Sequence, residues 1–426
     1  MGLLSAALLC ACLSGSPPDG SLESFLRHAR ERREAARSLL RPALEKLVLR
    51  LEEPGLAGRP SDLARLRAEL DALGAEAGSL LLPHLDPGSA PGPEVFLRAQ
   101  EVKEALVRAR PAGLLDELLP LARTGSPLAR AHAIQVIASV PEAARAFQDL
   151  LDLAQSSEVP VRGAALVALS GANDPQVLPA LCRALSDTEP SIVSAALRAL
   201  TATGRTEAAP AVLGLTRPPA RAAPYVAEIL AFFLADPRQV DDAALDGLLG
   251  LARADTVPDE TRVKVLEAFP RFEIARDAKK RKLLEPLFEY ANASVREAAL
   301  VAATLLGDKL ARRELFVAYD QVVVESPDWP EGYERRAAIA MRIEDYASAI
   351  RDLRRAIDLL SSRARQGVYR KLWIELARAY LRSGKVPKAA DTLEELGITE
   401  ALKSEIGSDP DFAPLRENPR FRRVFE

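Results

Sequence analysis

Apolar positions recur along this chain with the spacing of short amphipathic helices. Val161, Ala165, Leu166, Ala168 and Leu169 fall on one helical face. Gly171 and Asn173-Asp174-Pro175 end that helix, and a second one is predicted from about Pro175 to Ser186, burying Val177, Leu178, Leu181 and Leu185. Pro175 suits a first turn, where the backbone N–H has no helical partner. The next unit opens at Asp187-Thr188-Glu189-Pro190. Neither short helix can bury its stripe alone, so stacked neighbours must supply a shared core.

The unit repeats. Val161-Arg162-Gly163-Ala164-Ala165-Leu166 has counterparts at 129–134, 192–197 and 295–300, with a looser copy at 261–266. Leu97 to Val102 and a degenerate copy around Tyr225 complete the series. Equivalent positions are 98, 130, 162, 193, 225, 262 and 296, spaced by 32, 32, 31, 32, 37 and 34 residues. The arginines at 130, 162, 262 and 296 sit at helix starts, where they can bridge to neighbouring repeats; a ligand-binding ladder is the rival reading. Before this array, residues 21–52 read as a long helix or helix pair around Pro42, with Leu22, Phe25, Leu26, Leu39, Leu40, Leu44, Leu47, Val48 and Leu51 as its apolar positions. A second pair is predicted over 61–86, and Ser89-Ala90-Pro91-Gly92-Pro93 reads as a linker.

The Val-Arg-x-Ala-Ala-Leu signature followed by a Leu-rich helix resembles HEAT repeats, an armadillo-like family, and the HEAT-like repeats of phycobiliprotein lyases, over about residues 95–325. After Ser326-Pro327-Asp328-Trp329-Pro330 the pattern changes. Residues 331–396 resemble two tetratricopeptide (TPR) units, carried by Tyr333, Ala337, Tyr346, Ala349 and Ala356, then by Trp373, Leu376, Ala377, Tyr380, Gly384, Ala389 and Leu393. The copies are offset by 40 residues, with Ser361 to Gln366 as a longer connection, and 409–415 resembles a closing half-repeat. These resemblances imply an all-α fold, a right-handed α-α superhelix running from a HEAT-like solenoid into a TPR-like array. The expected segments are a leader at 1–16, an N-terminal helical region at 17–90, the HEAT-like part at 91–326 and the TPR-like part at 327–426.

Composition supports helices and a folded chain. Of 426 residues, 48% are hydrophobic and 27% charged, with aromatics at 5%. Length alone suggests about three domains. The net charge of −3 gives no general pull toward nucleic acid. Leu3 to Leu13 is apolar with small residues interspersed, the length of a signal-peptide core, although no Lys or Arg precedes it. Leu9-Cys10-Ala11-Cys12 resembles a bacterial lipoprotein box, which implies export and lipidation at Cys12. A misplaced start would instead leave the protein cytoplasmic. The basic run Arg27, Arg30, Arg32, Arg33 and Arg37, interleaved with Glu31 and Glu34, reads as a solvated face or as a surface against anionic lipid.

Raw material for chemistry is sparse. No His-Glu-x-x-His, Cys-x-x-Cys, Gly-x-Ser-x-Gly or phosphate-binding loop is present. The three histidines are His28, His84 and His132, and Cys182 on an apolar helix face is expected to be a buried core thiol. The expectation is a non-enzymatic scaffold of the bacterial envelope, without cofactor or metal. Its partners would be proteins or acidic peptide segments, with no nucleic acid and with membrane contact only through the Cys12 anchor. A HEAT-like chromophore lyase and a cytosolic adaptor are the alternatives. The segment 331–395 holds 14 basic and 10 acidic residues. In TPR proteins the first helices line the peptide groove, which carries over to Glu334, Ala338, Met341 and Arg342, then Lys371, Ile374, Arg378 and Arg382. Of these, Arg342, Lys371, Arg378 and Arg382 are the candidate partner-binding cations.

Overall fold

The computed structural model describes residues 22–418 except 74–76, 89–90, 173, 361–368 and 398, and side chains from Glu34 onward apart from residues 36 and 401. The leader with Cys12, the side chains of His28, Arg27, Arg30, Arg32 and Arg33, and the connection at 361–366 lie outside the described residues. Among those described, every regular element is helical, so the chain is all-α, as its periodicity requires. Two compact units form: one comprises residues up to Leu215 with Ala227–Ala235, the other Thr216–Val226 with Asp236–Glu426. The division falls inside the expected HEAT-like part, where the repeat spacing lengthens to 37 residues and the helices become short.

In the first unit, α1 (Leu22–Leu51) runs through Pro42 without splitting. It packs on α2 (Pro60–Leu73) through Leu44, Leu51, Leu66 and Leu70, whereas Leu39 points to solvent. Then follow α3 (Pro93–Ala109), α4 (Leu115–Thr124), α5 (Pro127–Ile137), α6 (Phe147–Leu153), α7 (Val159–Leu169), α8 (Val177–Ala184), α9 (Pro190–Thr203), α10 (Ala209–Leu215) and α11 (Val226–Ala235). Pro175 sits in the turn ahead of α8 instead of inside its first turn. The first helices of successive repeats stack, α5 on α7 and α7 on α9. The third residue after each signature position explains how they do so. Ala133, Ala165 and Ala196 are fully buried, and a methyl group lets two helix backbones approach closely.

The second unit holds α12 (Asp242–Arg253), α13 (Asp259–Ala268), α14 (Ala293–Leu305), α15 (Lys309–Glu325), α16 (Pro330–Arg342), α17 (Tyr346–Leu360), α18 (Arg370–Arg382), α19 (Val386–Leu396), α20 (Glu400–Gly407) and α21 (Ala413–Glu417). Between α13 and α14 the chain makes short 3-10 turns and a single α-helical turn, Ala278–Arg281, in place of a regular second helix. One hydrophobic core extends from Val323 of α15 through Trp373 and Tyr380 of α18 to Leu415 of α21, so packing crosses residue 326 without a break. Phe412 and Leu415 are fully buried, placing the closing segment against the last helix pair.

The turn chemistry is itself repeated. The amides of Asp308, Asp345 and Lys385 each donate to a carbonyl five residues back, at Ala303, Ala340 and Tyr380, at 3.0, 2.9 and 2.8 Å. The preceding residue is left-handed each time: Gly307 (φ 88°), Glu344 (φ 62°) and Gly384 (φ 76°). This is the Schellman ending, which favours glycine because a side chain crowds the left-handed region. Glu344 stands 40 residues before Gly384 and performs the same turn without that relief.

Candidate partner-binding surface

The repeated arginines are consumed by the array itself. Arg162 donates to the Ser156 carbonyl at 2.6 Å and forks onto Asp187 at 2.7 and 3.1 Å. Arg130 donates to the Ala122 carbonyl at 3.0 Å and to Glu158 at 2.6 Å. Arg296 donates to the Tyr290 carbonyl at 2.7 Å. Arg262 is 1% exposed, donates to the Ala252 carbonyl at 2.7 Å and lies 3.9 Å over the Tyr290 ring. Each guanidinium joins the end of the preceding element to its own helix, and three reach on toward the next repeat. The bridging reading of these positions holds. Asp187 is partly desolvated, which alone would raise its pKa, but Arg162 and the Glu189 amide outweigh that and hold it below the usual carboxylate value.

The four cations expected to line a groove are likewise paired. Arg342 bonds Glu297 of α14, with Glu267 of α13 at 3.6 Å. Lys371 meets Glu334 at 2.5 Å. Arg378 bonds Glu375, and reaches Asp409 at 2.7 Å and Asp411 at 3.1 Å; Arg382 shares Asp411 at 2.7 Å. Arg378 and Arg382 thus fasten the closing segment to α18. The chain's own carboxylates neutralise the expected row of guanidinium groups. Met341 and Ile374, placed on the same groove from the sequence, are buried in the core.

A different surface carries unspent charge. A cleft of about 620 Å³ lies between α15, α16 and α17, lined by Lys309, Arg312, Arg313, Phe316, Val317, Asp320, Arg336, Ser348, Arg351 and Asp352. Arg336 spans its floor, forking onto Asp352 at 2.8 and 2.7 Å and reaching Asp320 at 2.9 Å. The Asp352 bonds chiefly push the Arg336 pKa up, so that guanidinium stays charged. Arg312 meets Asp345 at 2.5 Å. Arg351 bonds the Ser348 hydroxyl at 2.9 Å. Among the described residues, Lys309, Arg313 and Arg351 have no carboxylate within ion-pair distance. Val317 of α15 lines this cleft, and the same helix exposes Leu310 (78%), Val317 (55%) and Val324 (78%), seven residues apart. The sequence reading passed over this surface. Its signal was present, since α15 carries apolar residues beyond the stripe that Ala311, Leu315 and Val323 bury.

Other reactive side chains are occupied or muted. His132 is buried, with Nδ1 at 3.1 Å from the Leu85 carbonyl, and burial lowers its pKa. Burial also lowers that of His84. Cys182 is half-buried, not fully buried as expected, because it flanks the stripe formed by Val177 and Leu181; burial raises its thiol pKa. Among the described residues no group of three or more His, Cys, Asp or Glu side chains is placed to hold a metal ion, and no helix is long and apolar enough to cross a membrane.

Residues 147–231 match the family model of HEAT repeats, covering α6 through most of α11. No curated protein matches the chain. Among solved structures it is similar to a mutant of Kap121p, at 13% identity and a TM-score of 0.43, over 98% of this chain and 47% of that one. The chain therefore spans about half the length of that protein. It is also similar to an engineered protein, at 18% identity and a TM-score of 0.37, over 92% of this chain and 98% of that one.

Proposed function

We propose that this protein is a non-catalytic scaffold whose stacked helix pairs hold partner proteins. The observation that carries this reading is the row Leu310, Val317 and Val324, standing in solvent on a helix whose opposite face is anchored in the core. Aliphatic groups fixed in a line on a rigid helix gain free energy when another surface covers them, about 25 cal/mol per Å² removed from water. The HEAT repeats at 147–231 are consistent with such a role. On this reading the helix pairs α16–α17 and α18–α19 act as TPR-like units that complete the second unit's surface. We place the scaffold at the bacterial envelope, in the periplasm or held by lipid on Cys12; the apolar stretch Leu3 to Leu13 supports this.

Capture of the full-length tagged chain from its native host, after mild cross-linking, tests the scaffold role. A protein recovered in near-equal molar amount supports it. Failure to recover any protein in that ratio contradicts it. Fractionation of a C-terminally tagged chain, with palmitate-analogue labelling of wild type and Cys12→Ala, tests the location; label retained in Cys12→Ala would refute the anchor.

A further inference from the structure

We infer that the cleft between α15 and α17 docks an acidic amphipathic helix of a partner protein. This rests on the scaffold reading above and adds the partner's chemistry to it. Three features converge.

The cleft floor is electrically closed. Arg336 is shared between Asp320 and Asp352, so it offers an incoming group little free charge. The rim is open. Lys309, Arg313 and Arg351 are exposed without carboxylate partners, and Arg312 shares one with Asp345. Five cations thus face three carboxylates around one cleft. Carboxylates entering along the rim meet charge-assisted donors that need not first break an internal pair.

The apolar row supplies the second half of the footprint. Leu310, Val317 and Val324 repeat every seventh residue, the spacing at which one helix faces another along a seam. At 1.5 Å per residue the row is about 21 Å long, matching a helix of about 14 residues. At 100° per residue, Arg313 and Asp320 fall between the row and the cleft, so a helix lying on the row sets its polar flank over the basic rim. A phosphate or other small anion would use the rim and leave the row uncovered. A nucleic acid would want a longer basic track without aliphatic groups at its edge.

The test uses the full-length chain and a fluorescein-labelled peptide of about 18 residues, with leucines on one helical face and glutamates on the other. Comparators are a scrambled peptide of equal composition, the same peptide with lysine for glutamate, oligouridylate, phosphatidylglycerol vesicles and free phosphate as competitor. Variants are Lys309→Glu with Arg313→Glu, and Val317→Asp. Far-UV circular dichroism and the fluorescence of Trp329 and Trp373 check that each variant is folded. The amphipathic acidic peptide should bind, and each variant should weaken it at least about tenfold. Failure of that peptide to bind, equal binding by the scrambled peptide, by the lysine peptide or by either variant, or preference for oligouridylate, vesicles or phosphate overturns the inference. A stoichiometric host partner that binds the charge-reversed chain as well as wild type would overturn the cleft assignment and leave the scaffold reading intact. The absence of any such partner would remove the scaffold reading itself.

Discussion

Replacing Arg262 by alanine should destabilise the second unit more than any exposed substitution. Its guanidinium is 1% exposed and serves three roles. Nε satisfies the Ala252 carbonyl at the end of α12 at 2.7 Å, Nη1 bonds the Tyr290 hydroxyl, and the plane lies 3.9 Å over the Tyr290 ring. Tyr290 in turn donates to Asp255 at 2.6 Å. An orphaned carbonyl costs about 1–3 kcal/mol, and the lost stacking about 1–2 kcal/mol. The pairs with Asp255 and Asp259 add little, because those carboxylates are 84% and 44% exposed. The total is about 2–5 kcal/mol, overlapping the range for breaking a buried charged network. Lysine keeps the charge but not the planar fork, so Arg262→Lys should lose about 2 kcal/mol. Urea unfolding followed by tryptophan fluorescence reads this directly, since the only two tryptophans, Trp329 and Trp373, belong to the same unit. A loss below about 1 kcal/mol for Arg262→Ala, or a lysine variant equal to wild type, would show that this guanidinium does not hold the unit together.

Glu344→Gly should stabilise the second unit and Gly384→Ala destabilise it, each by about 1 kcal/mol, because both positions are left-handed; calorimetry that ranks the two the other way would contradict the turn assignment. His132 has a folded-state pKa below 6.5, so the unfolded chain takes up its proton first as pH falls. Stability should therefore be full above about pH 6.5 and decline below it, and His132→Gln should flatten that slope in pH-dependent urea titrations. Cys182 has a pKa raised above 9.0, so iodoacetamide should alkylate the native thiol slowly at neutral pH, with a rate still rising past pH 9.0; fast modification at neutral pH would show an activated thiolate instead.

Much of the fold was legible because two signals agreed. Helical spacing identified each short helix, and the recurrence of Arg, Ala and Leu at matched positions showed that the helices stack. The first helices fall where Val161, Ala165 and Leu166 put them. Burial within a helix was less legible where a residue sits at the edge of its stripe. Leu39 points to solvent and Cys182 is half-buried, since a neighbour's shape decides edge positions. What the sequence did not show at the candidate groove is electrostatic. Sequence lists Arg378 as a cation but does not say that the chain folds Asp409 and Asp411 back onto it. Charge pairing across long separations, such as Arg342 with Glu297, depends on how repeats stack, which local pattern does not encode. The cleft was missed for the complementary reason. Leu310, Val317 and Val324 look like part of a core stripe until the packed side of α15 is known.

If a partner protein lies on α15 at the edge of the basic cleft, a probe on that helix should find it. A photo-cross-linking amino acid at position 317 of the full-length chain, in its native host, makes the test. Position 167, also exposed (48%) but in the first unit, is the control. One dominant protein adduct is expected at position 317, mapped by mass spectrometry to an acidic amphipathic helix and absent at 167. No adduct at 317, or the same diffuse pattern at both positions, would mean that α15 is not where the partner sits.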